Sequence, residues 1–327
     1  MNGLKEIKFT DIDGIKLGHA EDKLGGTGVS VVIAKDGATG GVDVRGGAPG
    51  TRETDLLDPS EMVQKVHAVV LSGGSAFGLD ASSGVMKYLE ERDIGFDVTV
   101  AKVPIVCQAV LFDLAFKDPK ARPNKEMGYK ACINSETYSD DINGNIGGGF
   151  GATVGKLLGP HTSMKGGLGT YAVEVNGLKV GAIVCVNCLG DVIDPKNSEI
   201  VAGAFDRSTK TFLNSENILI NNLNKENTPF KGNTTIGLIV TNAKFTKAEA
   251  KKISSMAHNG FARTMRPAHT MFDGDTIFTM ATNKIESDVT TVGMLSSNVM
   301  EKAILRAVKS AETLYGVPSL KGLASFK

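Results

Sequence analysis

The feature that most constrains the fold of this sequence is a series of short β-branched runs that do not alternate regularly with helices. The runs are bounded by Gly, Asn or Asp, as strands commonly are, and the clearest are "GVSVVIA", "HAVVLS", "TYAVEVN", "VGAIVCVN", "TTIGLIVTN" and "DTIFTMAT". Segments at about 78–92, 246–263 and 297–314 predict helices, and the second begins with Thr246 and Glu249 spaced as a capping box. Because a doubly wound parallel sheet needs strict alternation, this order favours layered sheets covered by helices.

The length and charge of the chain indicate its domain organisation and exclude some classes of binding partner. The chain has 327 residues and a formal net charge of zero, and we expect one α/β domain over residues 1–327 that needs no disulfide or metal to hold it together. A neutral chain without a Lys/Arg block has no electrostatic footprint for nucleic acid or an acidic membrane surface. No apolar run is long enough to span a membrane, and the N-terminus lacks the apolar core of a signal peptide. We therefore expect a cytoplasmic protein with no nucleic-acid and no membrane partner.

The cysteines and histidines do not form a metal-binding pattern. Cys185 and Cys188 match C-x-x-C once, whereas a zinc ribbon needs the motif twice, and residues three apart in a strand point to opposite faces. The histidines lack ligand spacing and are interpreted as core or surface residues; they are His19, His67, His161, His258 and His269. The stretch "GFGATVGK" lacks both the first Gly and the final Ser or Thr of a P-loop. The sequence therefore predicts no metal and no cofactor.

The stretch 206–233 differs in composition from the rest of the chain. It is rich in Asn, Lys, Ser and Thr and has little periodicity, which predicts an exposed, flexible linker. This linker runs directly into a buried strand whose first residue is Thr234. On the residues alone, Thr234 is either an ordinary strand residue or a group that does chemistry at this junction.

A second short stretch, "HTMFDGDTIF", places Asp273 and Asp275 two positions apart. In a strand the two side chains would lie on one face, where mutual repulsion can raise the pKa of one carboxyl group. Asp-Gly-Asp is also typical of a β-turn. The residues alone leave both interpretations open.

Ten motifs, in one order from about residue 12 to residue 315, resemble the peptidase P1 family. This family contains self-processing β-aminopeptidases, the L-aminopeptidase/D-esterase and the nylon-oligomer hydrolase. The most specific of the motifs is the long block "VDVRGGAPGTRETDLL"; others are "HAVVLSGGSAFGLDASSGVMKYLEERDIGF", "GATVGK", "MKGGLGTYA", "GNTTIGLIVTNA" and "MAHNGFARTMRPAHTMFDGDTIF". The resemblance implies a four-layer α-β-β-α sandwich of the N-terminal nucleophile type.

The resemblance also implies that the chain cuts itself between Asn233 and Thr234. An α chain 1–233 and a β chain 234–327 would then stay associated. The Thr nucleophile, the preceding Asn and "FDGD" most resemble the nylon-oligomer hydrolase branch. After the cut, Thr234 carries a free α-amine with a reference pKa of roughly 8, so that hydroxyl and base belong to one residue.

Further roles carry over from the family by motif. Asp275 is expected to orient the Thr234 amine or hydroxyl, and Asp273 to support Asp275. Lys156, in "GATVGK", would supply a positive charge near the nucleophile. Asn187, in "VCVNC", would donate a hydrogen bond to the oxyanion.

One position departs from the family pattern and bears on substrate. Relatives often carry a Tyr near "FDL", where this chain has Phe112. We treat Phe112 as a candidate substrate-binding residue that lacks the hydroxyl of that Tyr. The departure concerns substrate preference more than the nucleophile.

The sequence leaves several functions open. The main hypothesis is an amide hydrolase that cuts linear amides such as 6-aminohexanoate oligomers, and the alternative is an aminopeptidase for β-, D- or small L-residues. Ornithine-type acyltransferases also self-cleave at Thr but lack "VDVRGGAPGTRETDLL", and a non-catalytic family member is a fourth possibility. The expected partners are a small linear amide or peptide substrate and further copies of the chain, in a tetramer of α/β heterodimers.

Overall fold

The computed structural model describes residues 3–221 and 232–323. The α-helices in these residues are α1 Ala81–Glu90, α2 Lys125–Asn134, α3 Ser215–Asn221, α4 Lys247–Thr264, α5 Val289–Ser310 and α6 Leu320–Leu323. The strands are β1 Lys5–Ile7, β2 Lys16–Asp22, β3 Thr27–Val44, β4 Thr51–Arg52, β5 Lys65–Ser72, β6 Phe96–Asp97, β7 Lys102–Val103, β8 Val106–Val110, β9 Thr153–Val154, β10 Met164–Lys165, β11 Gly167–Val175, β12 Leu178–Val186, β13 Asp191–Asp194, β14 Glu199–Ala202, β15 Phe205–Asp206, β16 Thr211–Phe212, β17 Ile236–Ala243, β18 Met265–Arg266 and β19 Thr276–Ile285. Short 3-10 helices lie at Phe9–Asp11, Asp55–Leu57, Ser75–Asp80, Gly147–Gly149 and Pro160–Thr162.

The long strand β3 joins two groups of strands. Its first half pairs with β2 and β5, and its second half pairs with β19, with an irregularity in register between Ile33 and Ala38. The strand order is β1-β11-β12-β17-β19-β3-β5-β8-β4, with β2 beside β3. Extra residues in one strand bend it, and β3 therefore passes from one sheet layer to the other.

Three hydrophobic cores separate four layers. The central core contains side chains from both groups of strands, including Leu71, Ile183 and Phe278. One outer core packs α4 and α5 on the group that contains β11, β12 and β17, and the other packs α1 and α2 on the group that contains β5 and β8. This confirms the predicted four-layer α-β-β-α sandwich.

The helices follow the predictions in part. α4 begins after Thr246, and its capping box is present, with Thr246 N donating to Glu249 Oε2 at 2.8 Å. α5 begins two turns before the predicted start because Asp288 caps it, accepting from Thr291 N at 2.8 Å, and α2 was not predicted. Within residues 3–221 and 232–323, no helix is long and apolar enough to cross a membrane.

The segment 206–233, expected to be a flexible linker, contains regular structure in its first part. β15 and β16 form a small hairpin with Phe205 paired to Phe212, and α3 follows it. Asp191 anchors the start of α3, since its carboxylate accepts from Ser215 N at 2.6 Å and Ser215 Oγ at 2.8 Å. Residues 222–231 of the expected linker lie outside the described residues.

Candidate active site

Thr234 and the "FDGD" turn are brought together by two parallel strands. β17 and β19 run in the same direction, with Ile236 opposite Thr276. The residues that immediately precede parallel, aligned strands lie at the same edge of a sheet. Thr234 and Gly274 are therefore neighbours, although 40 positions separate them in sequence.

The Thr234 side chain is buried against the peptide bond that precedes it. Its Oγ1 donates a short hydrogen bond to the Asn233 carbonyl oxygen and accepts one from Gly274 N at 3.1 Å. Thr234 N donates to the Asn187 carbonyl oxygen at 3.0 Å. In this continuous chain the hydroxyl thus lies beside the carbonyl that it would have to attack.

Asp275 is held by partners on both carboxylate oxygens. Oδ1 accepts from Thr235 N at 2.8 Å, and Oδ2 lies near two donors of His269, its backbone N at 3.0 Å and its Nδ1 at 2.9 Å. The expected contact with Thr234 itself is thus replaced in the uncut chain by one with the next residue's amide. His269 was interpreted from sequence as an ordinary histidine, because its spacing to other residues carries no signal.

Asp273 is held differently. Its Oδ2 accepts from Thr270 N at 3.0 Å and Thr270 Oγ1 at 2.5 Å, whereas Oδ1 has no hydrogen-bond partner among the described residues. Burial, followed by the nearby charge of Asp275, raises the pKa of Asp273 to about 6. Both aspartates precede β19, which begins at Thr276, so the expected strand with two carboxylates on one face is not formed, and burial is the main cause of the shift.

Lys156 is buried next to the Asn233–Thr234 junction and contacts Asn187. Its Nζ donates to Asn187 Oδ1 at 2.7 Å and to the Asn187 carbonyl oxygen at 3.0 Å. Burial lowers the pKa of Lys156 to about 7, although the carboxylates of Asp273 and Asp113 act in the opposite direction. Thr234 N donates to the same Asn187 carbonyl oxygen. This carbonyl group therefore lies between Lys156 and the candidate nucleophile.

The Asn187 side chain is fully engaged in this state. Its Oδ1 accepts from Thr153 N at 3.0 Å as well as from Lys156, which fixes Nδ2 as the donor to the Phe112 carbonyl oxygen at 3.0 Å. The expected oxyanion donor is therefore bonded to the backbone of the candidate substrate-binding residue. Asn187 and Phe112 are thereby tied together at the site.

The block "VDVRGGAPG" packs against the "FDGD" turn through backbone hydrogen bonds. Arg45 N donates to the Asp275 carbonyl at 2.9 Å, and Ala48 N to the Asp273 carbonyl at 2.8 Å. A Cβ at Gly46 would lie 2.3 Å from the Asp273 carbonyl oxygen and 2.4 Å from Asp275 N, closer than atoms can approach. Glycine at this position lets β3 and the turn make direct backbone contact.

A cavity of about 190 Å³ adjoins Thr234. Its described lining carries no ionisable side chain; the lining residues are Ala48, Pro49, Gly50, Ser75, Ala76, Val110, Leu111, Phe112, Gly232, Asn233, Thr234 and Phe272. A smaller cavity of about 30 Å³ shares Phe112 and Gly232 with it and is also lined by Asp113 and Lys156. The larger cavity is an uncharged space next to the candidate nucleophile.

Two further buried ionisable side chains, Asp113 and Lys165, lie close enough to influence each other electrostatically, and sequence reasoning missed both. The Asp113 carboxylate accepts from Thr27 Oγ1 at 2.6 Å and Gly74 N at 2.7 Å, and burial raises its pKa to about 6. Lys165 is fully buried, donates to two backbone carbonyls, and has its pKa lowered by burial to about 7. The stretch "FDL" drew attention to Phe112 alone, and no pattern in it distinguishes Asp113 from a surface acid.

Comparison with known sequences identifies the family. The sequence profile of Peptidase family S58 matches residues 8–320. An uncharacterised aminopeptidase of Mycobacterium leprae is 38% identical over 96% of this chain and 93% of its own. A 6-aminohexanoate-oligomer endohydrolase of Kocuria sp. is 29% identical over 94% of this chain and 87% of its own.

Solved structures show the same fold. The L-aminopeptidase D-Ala-esterase/amidase from Ochrobactrum anthropi, described as a variant of the Ntn hydrolase fold, superposes with a TM-score of 0.71 at 18% identity, covering 98% of this chain and 93% of its own. A Burkholderia sp. β-aminopeptidase gives a TM-score of 0.69 at 17% identity, covering 100% of this chain and 94% of its own. At these identities the likeness establishes the fold alone, and it agrees with the sandwich described above.

The family expected from the motifs is confirmed, but the expected branch is not the one that identity favours. The mycobacterial aminopeptidase is more similar to this chain than the 6-aminohexanoate-oligomer hydrolase is. Identity thus supports the aminopeptidase alternative over the nylon-oligomer hypothesis that Thr234 and "FDGD" suggested. A profile match across nearly the whole chain and an Ntn-type sandwich together mean that this chain belongs to Peptidase family S58 and is an amide-bond hydrolase.

Proposed function

We propose that the chain cuts its own Asn233–Thr234 bond and then hydrolyses amides with Thr234 as N-terminal nucleophile. The observation that carries this proposal is the contact of Thr234 Oγ1 with the Asn233 carbonyl oxygen, with Gly274 N fixing the hydroxyl from the other side at 3.1 Å. An ordinary strand threonine has no need of a buried hydroxyl held against its own preceding peptide. The products would be an α chain 1–233 and a β chain 234–327.

The cut proceeds as an N-to-O acyl shift. The Thr234 oxygen bonds to the Asn233 carbonyl carbon, the bond from that carbon to the Thr234 nitrogen breaks, and the hydroxyl proton ends on that nitrogen. Water then hydrolyses the ester, leaving Asn233 with a carboxylate and Thr234 with its hydroxyl and a free amine. That amine has a reference pKa of roughly 8 and can act as the base for the hydroxyl.

The neighbouring groups have distinct roles in this proposal. Asp275, fixed beside Thr235 N, would orient the new amine, and Asp273 would add negative charge next to it. Lys156 would place a positive charge behind the Asn187 carbonyl. The Asn187 side-chain amide would stabilise the oxyanion once the bond to Phe112 rearranges, a role whose loss costs about 100- to 1000-fold in similar sites.

For the substrate, we favour removal of an N-terminal residue from small peptides or amides. The support is the 38% identity to an aminopeptidase over nearly the whole of both chains. The second candidate is endo-type cleavage of linear amides such as 6-aminohexanoate oligomers, favoured by the uncharged lining of the cavity beside Thr234. An ammonium group would find no carboxylate in that lining, whereas a methylene chain would fit it.

The test of self-cleavage uses the two adjacent threonines. We expect Thr234→Ala to remain one chain, and Thr234→Ser to cleave because serine keeps the hydroxyl. Thr235→Val is the matched control, since Thr235 Oγ1 donates to Met265 Sδ at 3.4 Å, and we expect it to cleave. Gel electrophoresis over time measures all three; cleavage of Thr234→Ala would rule Thr234 out.

The test of substrate compares a free with a blocked N-terminus. An aminopeptidase should hydrolyse alanine p-nitroanilide at least about 10-fold faster than its N-acetyl derivative, because acetylation removes a charge-assisted hydrogen bond. The reverse order, together with cleavage of a 6-aminohexanoate oligomer, would establish the endo-type alternative. We further propose a tetramer of α/β heterodimers, on the family resemblance, which light scattering of the cleaved protein checks.

A further inference from the structure

His269 makes two hydrogen bonds to one oxygen of Asp275. Its backbone N lies 3.0 Å from Asp275 Oδ2 and its Nδ1 lies 2.9 Å from the same atom. Oδ1 is thereby left to accept from Thr235 N at 2.8 Å. The next residue repeats the arrangement, because Thr270 N and Oγ1 both bond to Asp273 Oδ2.

The contact assigns the proton of the imidazole. Each Asp275 oxygen already accepts a hydrogen bond from a backbone N–H group, Oδ1 from Thr235 N and Oδ2 from His269 N, so both oxygens act as acceptors. His269 Nδ1 at 2.9 Å must therefore carry a proton and donate it. The ring is therefore held with a proton on Nδ1.

The surroundings of His269 fix the ring in one orientation. The His258 ring meets it edge-on at 4.8 Å, and the Phe261 ring stacks on it with 22° between the planes. His269 Nε2 is buried without a hydrogen-bond partner among the described residues. Nδ1 is therefore the polar end of the ring that this site uses.

The backbone of His269 is itself unusual. Its φ is +59°, in the left-handed region that favours glycine. Residues held in such conformations cluster at functional sites. Here the conformation lets the backbone N and the ring Nδ1 of one residue reach the same oxygen atom.

We propose that His269 is a positioning residue for Asp275, holding Oδ2 so that Oδ1 stays at the start of the β17 strand beside the Thr234 nucleophile. This role rests on the proposed function, since it matters only if Thr234 performs chemistry. His269 acts through Asp275 and does not line the cavity beside Thr234. Its loss should therefore slow catalysis without weakening substrate binding.

Two substitutions separate the ring's donor from the backbone. In His269→Gly the left-handed backbone is tolerated and the Nδ1 donor is lost. In His269→Asn the side-chain amide replaces that donor, and Asn also tolerates positive φ. We expect the glycine variant to self-cleave and turn over about 10- to 100-fold more slowly, as for loss of a hydrogen bond to a charged group, with KM within about twofold. The asparagine variant should stay within about fivefold of the wild type on the same basis.

The outcomes are distinguishable. The positioning role alone is overturned if the glycine variant cleaves and turns over at the wild-type rate. It is also overturned if the glycine and asparagine variants are equally slow and have equally lowered Tm values. A wild-type chain that never cleaves overturns the proposed function and this role with it. If both variants fail to fold, ¹⁵N NMR of His269 in uncleaved Thr234→Ala decides: a protonated Nδ1 supports the role, and an unprotonated Nδ1 overturns it.

Discussion

At the scale of single residues, the Asn187 carbonyl oxygen links the ammonium group of Lys156 to the backbone of the candidate nucleophile, Thr234. It accepts from Thr234 N and from the buried ammonium of Lys156, each at 3.0 Å. Burial brings the pKa of Lys156 down to about 7, so its charge is present below neutral pH and is lost as the pH rises. The influence of Lys156 on Thr234 should be pH-dependent for this reason.

Lys156→Met tests that influence, because Met has a similar length and no charge. We expect self-cleavage to slow about 10- to 100-fold at pH 6, the cost of a lost charged hydrogen bond, and the ratio of wild-type to variant rate to shrink towards pH 8. Time courses by gel at three pH values measure the ratio. Lys165→Met is the matched control, since Lys165 is equally buried but bonds to the Phe150 and Ala152 carbonyls; a constant ratio for Lys156→Met would contradict the assignment.

The sequence predicted some of these residues and not others. Thr234, Asp273, Asp275, Lys156 and Asn187 were found only through the motifs around them, and the structure gathers all of them at one junction. His269 could not be found, because its role depends on a left-handed backbone and on the return of the chain to Asp275. The engagement of Asn187 Nδ2 with Phe112 was equally hidden, since it joins positions 75 apart.

At the scale of elements, the site depends on the end of β3 fitting against the "FDGD" turn. β3 pairs with β19 through Val44 and Thr276, and Arg45 N and Gly46 N continue the contact to the Asp275 carbonyl. The strands were predictable from their β-branched runs. The bend of β3 and the parallel pairing of β17 with β19 were not, because both depend on partners distant in sequence.

Gly46→Ala tests this contact. The added methyl group would meet backbone atoms at 2.3 and 2.4 Å, so the turn that carries Asp273 and Asp275 must shift. We expect a stability loss of about 1–3 kcal/mol, typical of overpacking, and self-cleavage slowed at least about 10-fold, since small misplacements of reacting groups are costly. Thermal unfolding and cleavage time courses measure the two effects.

The control for Gly46→Ala is a glycine far from the site. At Gly316 an added Cβ meets nothing within 4 Å, but φ is +78°, so Gly316→Ala should cost roughly 1–2 kcal/mol from backbone strain. We expect this variant to cleave at the wild-type rate. Equal slowing of both variants would mean that lost stability, and not the displaced turn, explains the effect.

At the scale of the whole molecule, burial of charge should leave a signature in stability. Lys156 and Lys165 have pKa values lowered to about 7 in the folded protein, below the roughly 10.4 of an unfolded chain. Between these values the unfolded state binds more protons, so the free energy of unfolding should increase with pH. Burial also raises the pKa of all four thiols, those of Cys107, Cys132, Cys185 and Cys188. These groups act in the opposite direction as the pH approaches and passes about 8.5.

Urea unfolding of the uncleaved Thr234→Ala chain at pH 7, 7.5 and 8, where the lysines outweigh the thiols, measures this dependence. We expect the free energy of unfolding to rise with pH, with each lysine contributing up to about 1.4 kcal/mol per pH unit. Lys165→Met should lose about one lysine's share of the slope. A flat profile, or an unchanged slope in Lys165→Met, would show that these lysines are not neutralised on folding.

The central claim is that Thr234 becomes an N-terminus, and intact mass spectrometry with N-terminal sequencing of the incubated wild-type protein tests it most directly. We predict two fragments, of which the smaller begins Thr234-Thr235-Ile236 and extends to Lys327. A chain that stays intact at its full mass, without amidase activity, would contradict the claim. The buried hydroxyl at the start of β17 would then be a structural contact only.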